Sequence, residues 1–230
     1  MNENMNITKD PVYQDCFKLR QKRGFSKLGL SSAISWHDDP KRMAFLFSRY
    51  KFVAKILSDK KSVLEIGCSD GFNSRILLQE VKNLTISDID NDMLKNAKEI
   101  INSKWKLKVI EHNFERKRLS RKFDAIYTLD TLEHINKKKE QIFIKNVSNS
   151  LNNDGVLVVG APSLEFQKFS RPKKLTGHIN CKTGAQLKRF LLKFFANVFI
   201  FSMNDETVHT GFQKMSCYFF AVCTNKKKNI

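Results

Sequence analysis

The stretch Ser62-Val63-Leu64-Glu65-Ile66-Gly67-Cys68-Ser69-Asp70-Gly71-Phe72-Asn73-Ser74 leaves the backbone few paths. Val63, Leu64 and Ile66 form a short apolar run bounded by Ser62 and Gly67, the pattern of a fully buried strand. Phe72, Ile76, Leu77 and Val81 then recur at helical spacing. The reading is strand, tight glycine turn, helix. Gly67 and Gly71 let the chain reverse sharply and bring bare backbone up to a ligand, beside the unpaired N–H groups of the helix start. Glu65 leaves the strand at the same edge.

Spacing separates the ligands such a turn could serve. A dinucleotide fingerprint needs Gly-x-Gly-x-x-Gly, but Ser69 stands at its second glycine and Phe72 at its third, which disfavours a nicotinamide. Gly67-Cys68-Ser69-Asp70-Gly71 also fits the Gly-x-Ser-x-Gly elbow of serine hydrolases. Several strands precede that elbow in hydrolases, and none is legible in the first 60 residues here. A second strand, Leu84 to Ser87, ends in Asp88-Ile89-Asp90 ahead of a helix from Asp92 to Ile101. That puts an acid about 20 residues after the turn, where one carboxylate accepts from both hydroxyls of a ribose. Asp90 is the better placed of the two to cap the helix.

The rest of the chain alternates in the same way. Lys106 to Glu111 reads as a third strand ending at His112-Asn113-Phe114, and Phe123 to Leu129 as a fourth ending at Asp130-Thr131-Leu132-Glu133-His134. A helix from Lys138 to Leu151, a turn at Asn152 to Gly155 and a fifth strand from Val156 to Gly160 follow. Next come an irregular segment, 161–180, a helix from Thr183 to Phe195, and two last strands around Val198 to Phe201 and Met215 to Cys223. Strands alternating with helices predict a parallel sheet covered on both faces. Upstream, residues 1–30 read as a mobile basic arm with a short helix. Asp39 and Pro40 are placed to start a helix over Lys41 to Leu57, whose stripe of Phe45, Leu46, Tyr50, Val53, Ala54 and Leu57 faces a core.

The segments VLEIGCSDG, SDIDNDMLKNAKE, FDAIYTLDTLEHI and GVLVVGAPS, in that order, resemble the class I S-adenosylmethionine-dependent methyltransferases over roughly residues 40–225. The resemblance implies an α/β, Rossmann-like fold: a mostly parallel seven-stranded sheet with helices on both faces and an antiparallel last strand. It divides the chain into an N-terminal arm or lid (1–40), the methyltransferase domain (41–225) and a basic tail (226–230). It implies S-adenosyl-L-methionine as cofactor, held by Glu65, Gly67, Cys68, Ser69, Gly71, Asp88, Ile89, Asn113, Phe114, Leu129, Asp130 and His134. Glu65 is expected near the methionine amino group, and His134 in a supporting role. Asn113 stands where relatives carry an acid; its oxygen still accepts from the adenine amine, and Phe114 is expected to wall the ring.

Parallel sheets bind ligands at the carboxyl ends of their strands, and that edge collects His112, His134, His178 and His209. Methyl transfer to a hydroxyl profits from a base, and imidazole titrates in the right range. His178 and His209, in the loops on the acceptor side, are the candidate catalytic bases; bracing a loop is the alternative role for each. The segments from Trp36 to Val53, GHIN and MNDETVHTGF resemble a bacterial subgroup associated with surface-polysaccharide synthesis. The acceptor expected on that basis is a small sugar-containing or anionic molecule.

Composition bounds these readings. A formal charge of +18 keeps a nucleic-acid methyltransferase as the alternative, although the basic clusters are dispersed and no RNA-binding module accompanies them. A binding-only domain on the same fold is the third reading. The five cysteines lack the paired spacing of a metal site, so no metal is expected, and they read as buried free thiols in a reducing cytoplasm. No apolar run approaches the ~18 residues of a membrane span, and MNENMNITKD lacks the order of a signal peptide. Oligomeric state leaves no trace in the sequence.

Overall fold

The computed structural model describes residues 9–101, 105, 107–169 and 177–228. Helices α1 (Gln14–Arg23), α2 (Leu30–Asp38) and α3 (Lys41–Ile56) precede strand β1 (Val63–Ile66). Then come β2 (Leu84–Asp88), α4 (Asn91–Ile100), β3 (Leu107–Glu111), β4 (Phe123–Leu129), α5 (Glu140–Asn149) and β5 (Leu151–Pro162). Last are α6 (Gly184–Leu191), β6 (Phe195–Met203), β7 (Val208–His209) and β8 (Tyr218–Lys226). They build one sheet in the order β3-β2-β1-β4-β5-β8-β6-β7. The pairs from β3 through β5 are parallel, whereas β8 runs antiparallel to both β5 and β6. The seven expected strands are present, with the antiparallel one last. An eighth, two-residue β7 is added where Met203 and Ser202 pair with Val208 and His209.

The period of two along each strand divides the core between the faces. Leu64, Ile126, Leu157, Val159, Phe219 and Ala221 pack on one side with Phe143 and Val147 of α5 and Leu187 and Leu191 of α6. Val63, Ala125, Tyr127, Val158 and Phe220 pack on the other with Tyr50, Val53 and Ala54 of α3 and Leu94 and Ala97 of α4. Strand order reverses between β1 and β4, so the chain leaves those neighbours in opposite directions and opens a crevice beyond their carboxyl ends.

Several local expectations are corrected. The segment after the glycine turn winds as a 3-10 helix, Asn73–Gln79, rather than an α-helix. Asp39 makes no capping bond to α3; it terminates α2, and Pro40 stands just ahead of α3. The turn at Asn152 to Gly155 lies inside β5, as an irregularity between the pairs Phe123–Leu151 and Ala125–Val156. Phe195 opens β6 instead of closing the preceding helix. Asp90 does cap α4, accepting from the Asp92 and Met93 amides at 2.9 and 3.1 Å. Part of the long irregular segment, residues 170–176, lies outside the described residues, as do 1–8 of the arm and 229–230 of the tail. Lys226 belongs to β8 and donates to the Leu151 carbonyl at 2.9 Å.

Candidate active site

A cleft of about 650 Å³ opens at the reversal point. Its floor is the glycine corner after β1 (Gly67 to Asp70, with Asn73) and the end of β4 (Leu129, Asp130). Its walls are Arg42, Arg49 and Tyr50 of α3, with Glu133, His134, Gln167 and His178 opposite, and Ser31, Ser32 and Ser35 of α2 lie over it.

The corner is held by its own chain. Gly67 sits at φ +78°, and a Cβ there would stand 2.1 Å from Thr131 Oγ1; Gly71, at φ +66°, would meet Ile86 Cδ1 at 2.8 Å. Asp88 braces it from β2. One carboxylate oxygen accepts from the Ser69 amide at 2.8 Å, and the other from the Ile89 and Asp90 amides at 2.7 and 3.0 Å. Ser69 and Asp130, both facing the cleft, are held in the left-handed region at φ +52°. Such strain costs on the order of 1–3 kcal/mol per residue and gathers where binding needs an unusual geometry.

Beneath the floor, Glu65 is 1% exposed and bonded by three hydroxyls. Oε1 accepts from Tyr50 at 2.6 Å, and Oε2 from Tyr127 at 2.6 Å and from Ser74. Burial raises the Glu65 carboxyl above its ordinary range, and the three hydroxyl bonds only partly offset it. Burial and the neighbouring Glu65 push both tyrosines well above theirs. This cage ties α3 to the sheet. At the rim, Arg49 Nη1 lies 3.1 and 2.9 Å from the two oxygens of Asp130, and its guanidinium stacks 3.8 Å over the Tyr218 ring. Burial alone would lower the Arg49 pKa; Asp130, Tyr218 and Cys217 together outweigh it, and the net shift is upward.

Of the residues nominated from sequence, Gly67, Cys68, Ser69, Leu129, Asp130, His134 and His178 line the cleft together. Glu65, Gly71, Asp88, Ile89, Asn113, Phe114 and His209 are not in its lining. Asn113 Oδ1 accepts from the Glu115 amide at 2.8 Å, closing a local turn. Phe114 is 2% exposed and packs its ring into the core against Phe143, so it presents no open wall for an adenine. His209 Nδ1 accepts from the Gly211 amide at 2.9 Å, the loop-bracing role. His178 does face the cleft, and burial together with His134 lowers its pKa.

The structure adds residues that the sequence did not single out. Asp70 takes the Ser32 amide at 2.7 Å and the Ser32 hydroxyl at 3.2 Å, fastening α2 over the corner. Glu133, 1% exposed, has no hydrogen-bond partner for either oxygen, and burial, with Asp130 nearby, pushes its carboxyl up to about 8. Asn73 Oδ1 and Arg49 Nε are likewise buried without partners and belong to cleft-lining residues. Buried polar atoms are nearly always paired, so this cluster of unmet donors and acceptors fits a polar ligand.

Comparison with known proteins bears on the fold. The family profile described as a methyltransferase domain matches residues 63–155. The malonyl-(acyl-carrier protein) O-methyltransferase 2 of Ilyobacter polytropus is 38% identical over 80 residues, 34% of this chain and 31% of that protein. The carboxy-S-adenosyl-L-methionine synthase of Campylobacter concisus is 34% identical over 115 residues, 47% of each. The matches thus span a third to a half of those relatives' lengths. The N-methyltransferase NodS of Bradyrhizobium japonicum, solved with S-adenosyl-L-homocysteine, superposes with a TM-score of 0.62 at 18% identity, over 83% of this chain and 90% of that one. The chain therefore has the α/β fold of the class I S-adenosylmethionine-dependent methyltransferases and carries, from β1 into β5, the sequence of a methyltransferase domain.

Proposed function

We propose that this protein transfers a methyl group from S-adenosyl-L-methionine to the oxygen of a small, polar acceptor that carries sugar or anionic groups. The cleft at the β1/β4 reversal, with its unmet polar atoms, carries the reading. The cofactor supplies an electrophilic methyl group. Asp88 would hold the ribose hydroxyls: its oxygens take three backbone amides and offer roughly four lone-pair directions, so acceptor capacity remains. Asn73 Oδ1 and Arg49 Nε would meet the amino and carboxylate ends of the methionine part, in place of Glu65, which is buried outside the cleft lining. The backbone of the Gly67 to Ser69 corner forms the floor, its amides already given to the Ser87 carbonyl and to Asp88, and α2 acts as the lid.

At the acceptor end, His178 is the base of choice. Its lowered pKa keeps the ring neutral near pH 7 and able to take the hydroxyl proton. The O-methyltransferase among the relatives supports oxygen as the acceptor atom, and the NodS complex supports the cofactor. Among the described residues no helix is long and apolar enough to cross a membrane, and we place the enzyme in the cytoplasm with a dissolved acceptor.

Calorimetry with S-adenosylhomocysteine tests the reading. Saturable binding is expected, with Asp88→Ala weakening it at least about tenfold, because each bond to a charged group contributes roughly 1.5–3 kcal/mol. Equal affinity for the two proteins would remove Asp88 from the site, and no binding at all would remove the function. The net charge of +18 favours a second reading, a nucleic-acid acceptor. RNA binding that collapses steeply as salt is added would select it.

A further inference from the structure

We propose that Glu133, His134 and His178 bind one divalent first-row transition-metal cation at the acceptor end of the cleft. One ligating atom from each residue lies within 4.8 Å of those of the other two. Glu133 is 1% exposed, and neither of its oxygens has a hydrogen-bond partner. A buried carboxylate with no donor must be met by a proton or a cation.

The two imidazoles narrow that choice. His134 Nδ1 lies 2.9 Å from the Gly177 carbonyl oxygen. A carbonyl only accepts, so Nδ1 carries a proton, and in the neutral ring Nε2, 3.9 Å from Glu133 Oε1, keeps its lone pair. His178 repeats the arrangement, with Nδ1 3.2 Å from Gln167 Oε1. With both rings neutral, three acceptors thus lie within 4.8 Å of one another, and each imidazole has an Nδ1 held by an oxygen. Metal-binding histidines are supported in just that way. Of the two arginines that line the cleft, Arg42 and Arg49, the second pairs with Asp130 through Nη1, and neither bonds Glu133.

Two imidazoles and one carboxylate suit zinc, iron or manganese better than calcium or magnesium, which favour all-oxygen shells. Bonds of about 2.1 Å would draw the three atoms together by roughly an ångström apiece. Three protein ligands leave coordination positions open toward the cleft for an acceptor oxygen, so the site selects acceptors that present a hydroxyl. With the cation bound, His178 is a ligand and no longer the free base of the metal-free cleft; the cation would lower the hydroxyl's pKa, and the proton would leave to cleft water. This catalytic consequence rests on the methyl-transfer reading; the binding does not.

The test uses the full chain stripped by chelator and titrated with Mn²⁺, following free Mn²⁺ by electron paramagnetic resonance. One saturable equivalent is expected. His178→Ala and the isosteric Glu133→Gln should abolish it, Gln167→Ala should weaken it about 10–100-fold, and His112→Ala, outside the cleft, should leave it intact. Melting followed by circular dichroism confirms that each variant is folded. Absence of saturable binding in cooperatively melting wild type, or equal binding by Glu133→Gln and His178→Ala, would overturn the site and leave a proton as its occupant. S-adenosylhomocysteine calorimetry on the same samples keeps the two proposals apart: Mn²⁺ binding without cofactor binding spares the cation site and removes the methyltransferase, and the converse spares the enzyme alone.

Discussion

Replacing Asp70 with alanine should release α2 while leaving the sheet intact. Helix α2 buries only Ser32 and Ser35, whereas Leu30, Ile34 and Trp36 are 57, 61 and 53% exposed. Little apolar area holds the helix down, so its attachment depends on polar bonds at its first turn. Asp70 accepts the Ser32 amide and hydroxyl, and Asn96 Oδ1 accepts the Leu30 amide at 2.9 Å. These are capping bonds delivered from distant sequence, and losing a cap costs about 1 kcal/mol and at most about 2. A loss of 1–2 kcal/mol raises the open population about 5–30-fold. Hydrogen exchange read by mass spectrometry over residues 30–38 should speed up by that factor in Asp70→Ala, and by about fivefold in Asn96→Ala. Exchange in β1 and β4 should not change. Unaltered exchange in α2, or an equal rise throughout the chain, would refute polar attachment.

Gly67→Ala should cost about 2 kcal/mol or more in chemical denaturation, since the backbone sits at φ +78° and the new Cβ would stand 2.1 Å from Thr131 Oγ1. Pairing it with Thr131→Ala should recover part of the loss, and a Gly67→Ala protein within about 0.5 kcal/mol of wild type would contradict the clash. Glu65→Gln should flatten part of the pH dependence of stability. Burial raises the folded carboxyl above its ordinary 4.5, so the native state holds that proton more tightly than the unfolded chain. The contribution is complete below pH 4.5 and is lost as pH rises through the folded value. Unfolding curves across that window should show wild type losing ground to the glutamine variant, and parallel curves would mean that Glu65 ionises freely.

What was legible in the sequence was local. The apolar runs at Val63 to Ile66 and Phe123 to Leu129 mark their strands because burial on both faces writes itself as consecutive apolar residues. Asp90 declares its cap because the amides it serves lie two and three residues on. Contacts across long separations leave no such pattern. Asp70 serves an amide 38 residues upstream, Arg49 meets Asp130 81 residues away, and Tyr127 reaches Glu65 across 62. The direction of Phe114 is illegible for the related reason that composition does not say which way a ring turns at a strand's end; here it turns toward Phe143. Glu133 carries no such signal, because an unpaired carboxylate shows only after its neighbours are in place.

The order of synthesis gives α2 a peculiar history. It leaves the ribosome before either of its anchors: Asp70 follows β1, and Asn96 sits on α4. A nascent chain therefore carries this segment unattached until the glycine corner and α4 have been made, and a helix translated ahead of both its anchors settles only after them. Truncated chains ending before Asn96 should leave it open to protease, so that completion of the cleft reports how far translation has run.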